Sequence, residues 1–275
     1  MARRRLWAIL FALVLAPGAA SASAWTRPSG EALFIATALY DRAWRRYSLD
    51  GATKPNADFT KFSNETYVEY GLADGLTGVL HGRYEWLRDG ASGQSMRQQG
   101  FGDFELALRL RLYDRPRTVF SVQQMIGAAG ESSGGGDLPL LARGRLYETR
   151  GLFGRSFDTA GMPAFFNLEA AHRWREGAAP NEWRFDFTVG VKPGGGWEIF
   201  AQSFSSLSAG GARTPFRTFR HHKAQISVLK RLTARYGVQA GLFRSVDGRN
   251  VIVENGAIVS LWITTDALSS FWTGL

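Results

Sequence analysis

The sequence predicts an all-β fold, a transmembrane antiparallel up-and-down β-barrel of about twelve strands. Three observations predict it: an export-type start, a period-two alternation of apolar and polar residues along the chain, and connections that alternate long and short.

The start comes first in the chain. Arg3, Arg4 and Arg5 precede an apolar run from Leu6 to Ala16, and the small residues Ala19 to Ala24 follow. That order is the one a secretory signal uses, with Ala22-Ser23-Ala24 as the cleavage sequence before Trp25. The run is about half the roughly 20 apolar residues that a membrane-spanning helix needs. The expectation is a cleaved signal over 1–24, Sec-type export, and one domain over 25–275. Three arginines and no acidic residue leave with the signal, so the net charge falls from +9 to +6. The chain has no cysteine. For an exported protein this excludes disulfide staples, thiolate metal sites and cysteine nucleophiles.

The alternation is clearest over 102–112. Phe104, Leu106, Leu108, Leu110 and Leu112 occupy the even positions, with Asp103, Glu105, Ala107, Arg109 and Arg111 between them. Side chains of a strand alternate faces, so one face is hydrocarbon and the other charged. Clear repeats follow over 80–86, 166–174, 183–192 and 235–242. Weaker ones cover 31–47, 59–72, 117–127, 143–156, 197–205, 220–230 and 256–265, which makes twelve candidates.

The connections then separate a membrane barrel from a soluble sandwich. Residues 48–58, 88–101, 128–142, 206–219 and 245–255 read as long, and 175–182 as intermediate. Ala73-Asp74-Gly75, Asp114 to Arg117, Asp158 to Met162, Pro193 to Gly196 and Arg231 to Ala234 read as tight. Short periplasmic turns alternating with longer extracellular loops characterise outer-membrane barrels. An even strand number puts both termini in the periplasm. Hydrocarbon leaves a sheet edge unsatisfied, so the sheet must close. Trp86, Trp174, Trp183, Trp197, Tyr113, Tyr236 and Trp262 fall near strand ends, where interfacial aromatic girdles sit.

Tyr70-Gly71-Leu72-Ala73-Asp74-Gly75-Leu76-Thr77 resembles the strand-turn-strand of bacterial porin-like barrels, including those grouped as MetA-pathway phenol-degradation transporters. Leu232 to Gln239 is similar to their later hairpins. The resemblance implies an outer-membrane barrel and a passive transporter, with no particular solute. One departure concerns assembly. Such barrels end on an aromatic residue of the last strand, whereas here Asp266 to Leu275 follows it, with Phe271-Trp272 short of the end.

Parity assigns a pore wall. Positive inward positions are Arg83, Arg109, Arg111, Arg150, Arg173, Arg184 and Lys223. Negative ones are Glu65, Glu69, Glu85, Asp103, Glu105, Glu148, Glu169 and Asp186, with His81 among them. The two signs nearly balance. Twelve strands lie between the filled eight-stranded barrel and the wide porin, so a narrow or partly occluded lumen for small solutes is expected. The basic excess then lies at the outer rim. Arg42, Arg45, Arg46, Arg220, His221 and His222 are candidates for gripping lipopolysaccharide phosphates, since arginine suits bidentate phosphate contact. The barrel-assembly machinery and outer-membrane lipid are the further expected partners, and nucleic acid is not.

Two other readings stay open: a non-conducting structural or adhesive barrel, and a lipid hydrolase. The hydrolase needs a serine and a histidine together on the lipid-facing wall. His172 is on that wall, but no serine neighbours it in the expected pairing, and no His-x-Ser-Asn pattern occurs. His221-His222 lacks a third ligand at metal spacing. The sequence therefore assigns no catalytic residue, cofactor or metal.

Overall fold

A computed structural model describes residues 24–90, 96–128, 132–133, 144–210 and 216–265. The strands are β1 (Ala32–Tyr47), β2 (Thr53–Ala73), β3 (Leu76–Asp89), β4 (Met96–Arg115), β5 (Thr118–Ala128), β6 (Ser132–Ser133), β7 (Arg145–Thr159), β8 (Met162–Arg175), β9 (Glu182–Gly194), β10 (Trp197–Ser208), β11 (Arg220–Arg231), β12 (Tyr236–Arg249), β13 (Val251–Ile252) and β14 (Asn255–Thr265). The two-residue β6 and β13 are additions to β4 and β1. The other twelve form the wall, each antiparallel to its neighbours in chain order. β1 closes the ring by pairing on both edges, Ala32 lying opposite Tyr70 on β2 and Thr265 on β14.

All twelve expected strands are present, and several are longer than the alternation suggests. Residues 48–58 are not a long connection: β2 starts at Thr53, leaving Ser48–Ala52 between strands. That turn is tied by Ser48 Oγ to Asp50 and by the Ala52 amide to Asp50 Oδ1 at 3.2 Å, and these donors hold the Asp50 carboxyl below its ordinary range. Over 245–255 the strand pairing likewise continues, with β12 reaching Arg249 and β13 adding to β1. Met96 to Gly102 also belongs to β4 rather than to a loop. Polar residues can extend a strand beyond the hydrocarbon, because the alternation that marks it in sequence is imposed only by lipid.

At the opposite rim the turns are tight. Ala160-Gly161 and Gly195-Gly196 carry positive φ at both positions, 48° and 76° and then 59° and 73°. Two-residue turns of that hand match strand twist. Phe104, Leu106, Leu108, Leu110 and Leu112 are all exposed on the outside, while Asp103 and Arg109 are buried inside. Trp86, Trp174 and Trp183 are exposed near the loop rim, and Tyr113, Trp197 and Tyr236 near the turn rim. Trp262 does not join that girdle. It is 4% exposed and points inward, because it shares parity with the buried Ser260 and Ile258.

Candidate functional site

The interior wall has two zones. In the first, inward side chains keep part of their surface open: 30% for Glu65, 28% for Arg83, 30% for Arg184 and 33% for Lys223. In the second, toward the turn rim, Glu69 and Arg109 keep 1% and 2%.

The more open zone is a belt of linked ion pairs along β2 to β9, in which Glu65, His81, Arg83 and Arg184 keep a quarter to a third of their side chains open while Glu148 and Arg173 keep 3% and 4%. His81 lies 3.6 Å from Glu105 and 4.0 Å from Glu65. Arg83 pairs with Glu85 at 3.2 Å and Asp103 at 3.5 Å. Arg150 donates to Glu148 at 2.9 Å, Asp186 at 2.8 Å and Glu169 at 2.5 Å. Arg173 donates to Glu148 at 2.8 Å and reaches Glu105 at 2.9 Å. The last contact joins β8 to β4 across two intervening strands, so it spans a chord of the lumen. Arg184 adds a contact to Glu148 at 3.5 Å. Among the described residues this belt sets eight carboxylates, Glu65, Glu85, Asp103, Glu105, Glu148, Glu169, Glu182 and Asp186, against the five guanidiniums of Arg83, Arg150, Arg173, Arg175 and Arg184.

The facing wall, from β9 round to β1, is lined at its middle by neutral polar groups, with Asp41 buried toward the loop rim and Glu198 paired to Arg231 at 3.2 Å toward the turn rim. Thr37 and Ser260 share a hydrogen bond at 2.8 Å, Gln225 donates to Gln202 at 2.9 Å, and Gln239 donates to Ser227 at 2.8 Å. Above it, Glu254 meets Lys223 at 3.1 Å and Lys61 at 3.7 Å.

The second zone is occupied by the chain itself. Residues 24–30 lie inside the barrel ahead of β1. The Trp25 ring packs with Ile35 against an inward apolar cluster of Leu33, Phe165, Phe200, Leu229 and Trp262. The Arg27 amide donates to Thr77 Oγ1 at 2.8 Å, and its guanidinium to Glu69 at 2.8 Å. Glu69 also accepts from Arg109 and from Tyr67, at 2.8 and 2.7 Å. Gly71 is required here, since a Cβ would fall on the Pro28 carbonyl oxygen. The sequence reading missed this segment. Its one signal was Leu33, Phe165, Phe200 and Leu229, apolar at positions whose parity is inward.

Other candidates separate by parity. Arg111 sits at the turn rim, paired to Asp114 at 2.9 Å rather than along the lumen. Arg42 stacks over Trp44 at 4.6 Å, Arg45 donates to Thr53 at 2.9 Å, and Arg46 is exposed. His221 departs from that outer group. It turns inward, 2.7 Å from Ser245 Oγ and 3.8 Å from Glu254. Arg220 and His222 face outward, and Arg220 pairs with Asp247 at 2.8 Å. His172 lies between Trp174 and Trp183, at ring distances of 4.4 and 4.5 Å, with Thr149 and Trp183 as strand partners. Phe271-Trp272 lies outside the described residues.

No protein-family model matches the chain, and no curated protein matches it. Solved structures do. The COG4313 outer membrane channel from Pseudomonas putida F1 superposes with a TM-score of 0.66 at 14% identity, over 90% of this chain and 100% of that one. The NanC porin gives 0.55 at 9%, over 83% and 98%. The β-domain of the Bordetella autotransporter BrkA gives 0.51 at 12%, over 86% and 100%. The likeness at these identities is one of fold, and that fold is the outer-membrane β-barrel.

Proposed function

We propose that the chain is an outer-membrane channel conducting small polar solutes passively through a narrow lumen. The observation that carries this reading is the partial exposure of inward charges in the belt. A dry core would not leave Glu65, Arg83 and Arg184 this open, since desolvating a charge costs several kcal/mol; a water-filled bore accommodates them. The pore-wall assignment follows for Glu65, His81, Arg83, Glu85, Asp103, Glu105, Glu148, Arg150, Glu169, Arg173, Arg184 and Asp186. Glu69 and Arg109 instead anchor the stopper formed by residues 24–30. That stopper favours a closed resting state, which is also the one observation supporting a non-conducting structural barrel.

Planar-bilayer recordings of refolded protein separate the two. The channel reading expects discrete openings in wild type and larger or more frequent ones in Trp25→Gly. Silence of both, with heat-modifiable gel mobility intact, would establish the structural barrel. For the rim, the proposal is that Arg42, Arg45 and Arg46 grip lipopolysaccharide phosphates. Their joint replacement by glutamine is expected to lower the lipopolysaccharide that co-purifies, and unchanged recovery removes the idea.

A further inference from the structure

On the outward wall near the loop rim, a serine, a histidine and a carboxylate stand side by side, and conduction uses none of them. Ser205 is on β10, His222 on β11 and Asp247 on β12. The register sets Ser205 opposite His222 and His222 opposite Asp247. Their faces are outward: Trp197 and Ile199 share the face of Ser205, and Ile226 and Val228 that of His222, all four exposed. Asp247 reaches the row because the ladder shifts between His222 and Lys223, where Lys223 pairs with Ser245 and His222 with Asp247. Val246 is the extra residue of that bulge.

Ser205 Oγ lies 2.7 Å from His222 Nδ1. The other ring nitrogen, Nε2, lies 4.0 Å from Asp247 Oδ2, and Arg220 Nη2 holds the same oxygen at 2.8 Å. The Arg220 Nε–H is buried and has no hydrogen-bond partner.

We propose that Ser205, His222 and Asp247 form a hydrolytic centre for the acyl ester of a lipid lying against the outer wall, with Arg220 fixing Asp247. A serine hydroxyl becomes a useful nucleophile when a base lies within hydrogen-bond reach and a third group orients that base. The base lies within reach through Nδ1, and Asp247, fixed by Arg220, stands 4.0 Å from Nε2, beyond hydrogen-bond reach before charge develops. Ser205 Oγ attacks the acyl carbonyl carbon while Nδ1 takes its proton, and the carbonyl electron pair moves to oxygen. Asp247 faces the imidazolium so formed, and the 4.0 Å gap shortens as that charge develops. The ester C–O bond then breaks, and the alcohol leaves with the proton from Nδ1. Water repeats the sequence on the acyl-serine, releasing a carboxylic acid and restoring Ser205.

The surroundings name the substrate class. Phe185 lies directly across from Ser205 on β9 and stacks with Trp183 at 6.5 Å and 19°. Ile226 and Leu242 continue an exposed apolar surface on the same wall. Toward the rim, Arg249 stands opposite Arg220, so two cations meet where an anionic headgroup would lie. An acyl chain on the apolar surface and a phosphate at the arginines would place an ester bond between them, at the height of the interfacial aromatics.

The test uses refolded full-length protein in phosphatidylcholine mixed micelles, with p-nitrophenyl butyrate and a fluorophosphonate label as further probes. Wild type is expected to release fatty acid and to take the label on Ser205. Ser205→Ala is expected to lose both, and His222→Ala to lose on the order of 100- to 10,000-fold in turnover. Ser203→Ala, on the same face two residues away, retains full activity and controls for surface effects. Bilayer conductance is expected to be the same in all of them, so this result stands or falls apart from the channel reading. Absence of label and turnover in folded wild type, or their survival in Ser205→Ala, would overturn the proposal and leave a hydrogen-bonded rim cluster.

Discussion

Glu69 accepts hydrogen bonds from Arg27, Arg109 and Tyr67 at once, within 2.9 Å in each case, while almost none of its side chain meets water. A buried charge is tolerable only when it is paired and hydrogen-bonded. Removing one partner strands the others, at about 3–5 kcal/mol. Glu69→Gln leaves two guanidiniums facing a neutral amide, and a loss of that order is expected in urea unfolding followed by gel mobility. Asp158→Asn breaks a pair with Arg117 in which both side chains are more than half exposed. Its effect is expected to stay within about 1 kcal/mol, because solvent screens such pairs. Equal losses in the two variants would mean that the Glu69 cluster is not dry. At this scale the sequence was informative about direction only. Alternation put Glu69 and Arg109 inside, but nothing local to either says that Arg27, about forty or more residues away from both, completes the cluster.

At the scale of elements, period-two patterning delivers the strands because lipid enforces it on one face. It delivers the register poorly. Bulges between Gly82 and Tyr84, between Arg111 and Tyr113 and between His222 and Lys223 shift the pairing without any residue that announces them. One such shift brings Asp247 to His222, and plain pairing brings Ser205 there from seventeen positions earlier. A search for His-x-Ser patterns in sequence could not find this arrangement, because adjacency across strands is set by turn length and bulge position. Trp262 was misplaced for a related reason: nearness to a strand end does not say which face a ring occupies. The segment ahead of β1 has no alternation, so its place inside the barrel had no periodic signature. Its dependence on a strand glycine is testable. Gly71→Ala keeps an ordinary strand residue in β2 but puts a methyl group onto the Pro28 carbonyl oxygen. Conductance is expected to rise toward that of Trp25→Gly, with the barrel's gel mobility unchanged. A conductance equal to wild type would show that the segment tolerates displacement without opening the bore.

For the whole molecule, the distribution of charge matters more than the total. The chain carries a formal +9, yet the belt of the lumen holds more carboxylates than guanidiniums, and the middle of its facing wall is lined by neutral hydroxyls and amides. A solute in a water-filled bore responds to the charges on the wall, and more distant surface charges are screened within about 10 Å at 0.1 M salt. If the chain conducts as proposed, the belt favours cations despite the basic sequence. Arg173 is the place to test this, since it contacts Glu148 and reaches Glu105 and Asp103 across the bore. Arg173→Gln removes one positive charge from the belt and takes one cationic partner from each of Glu148, Glu105 and Asp103. Under a potassium chloride gradient, the reversal potential is expected to move toward the potassium equilibrium potential, a several-fold gain in cation preference. Glu105→Gln, on the same chord, is expected to move it the opposite way. Shifts of the same sign in both would mean that permeating ions do not pass this belt, and would move the conduction path away from the Arg173 chord.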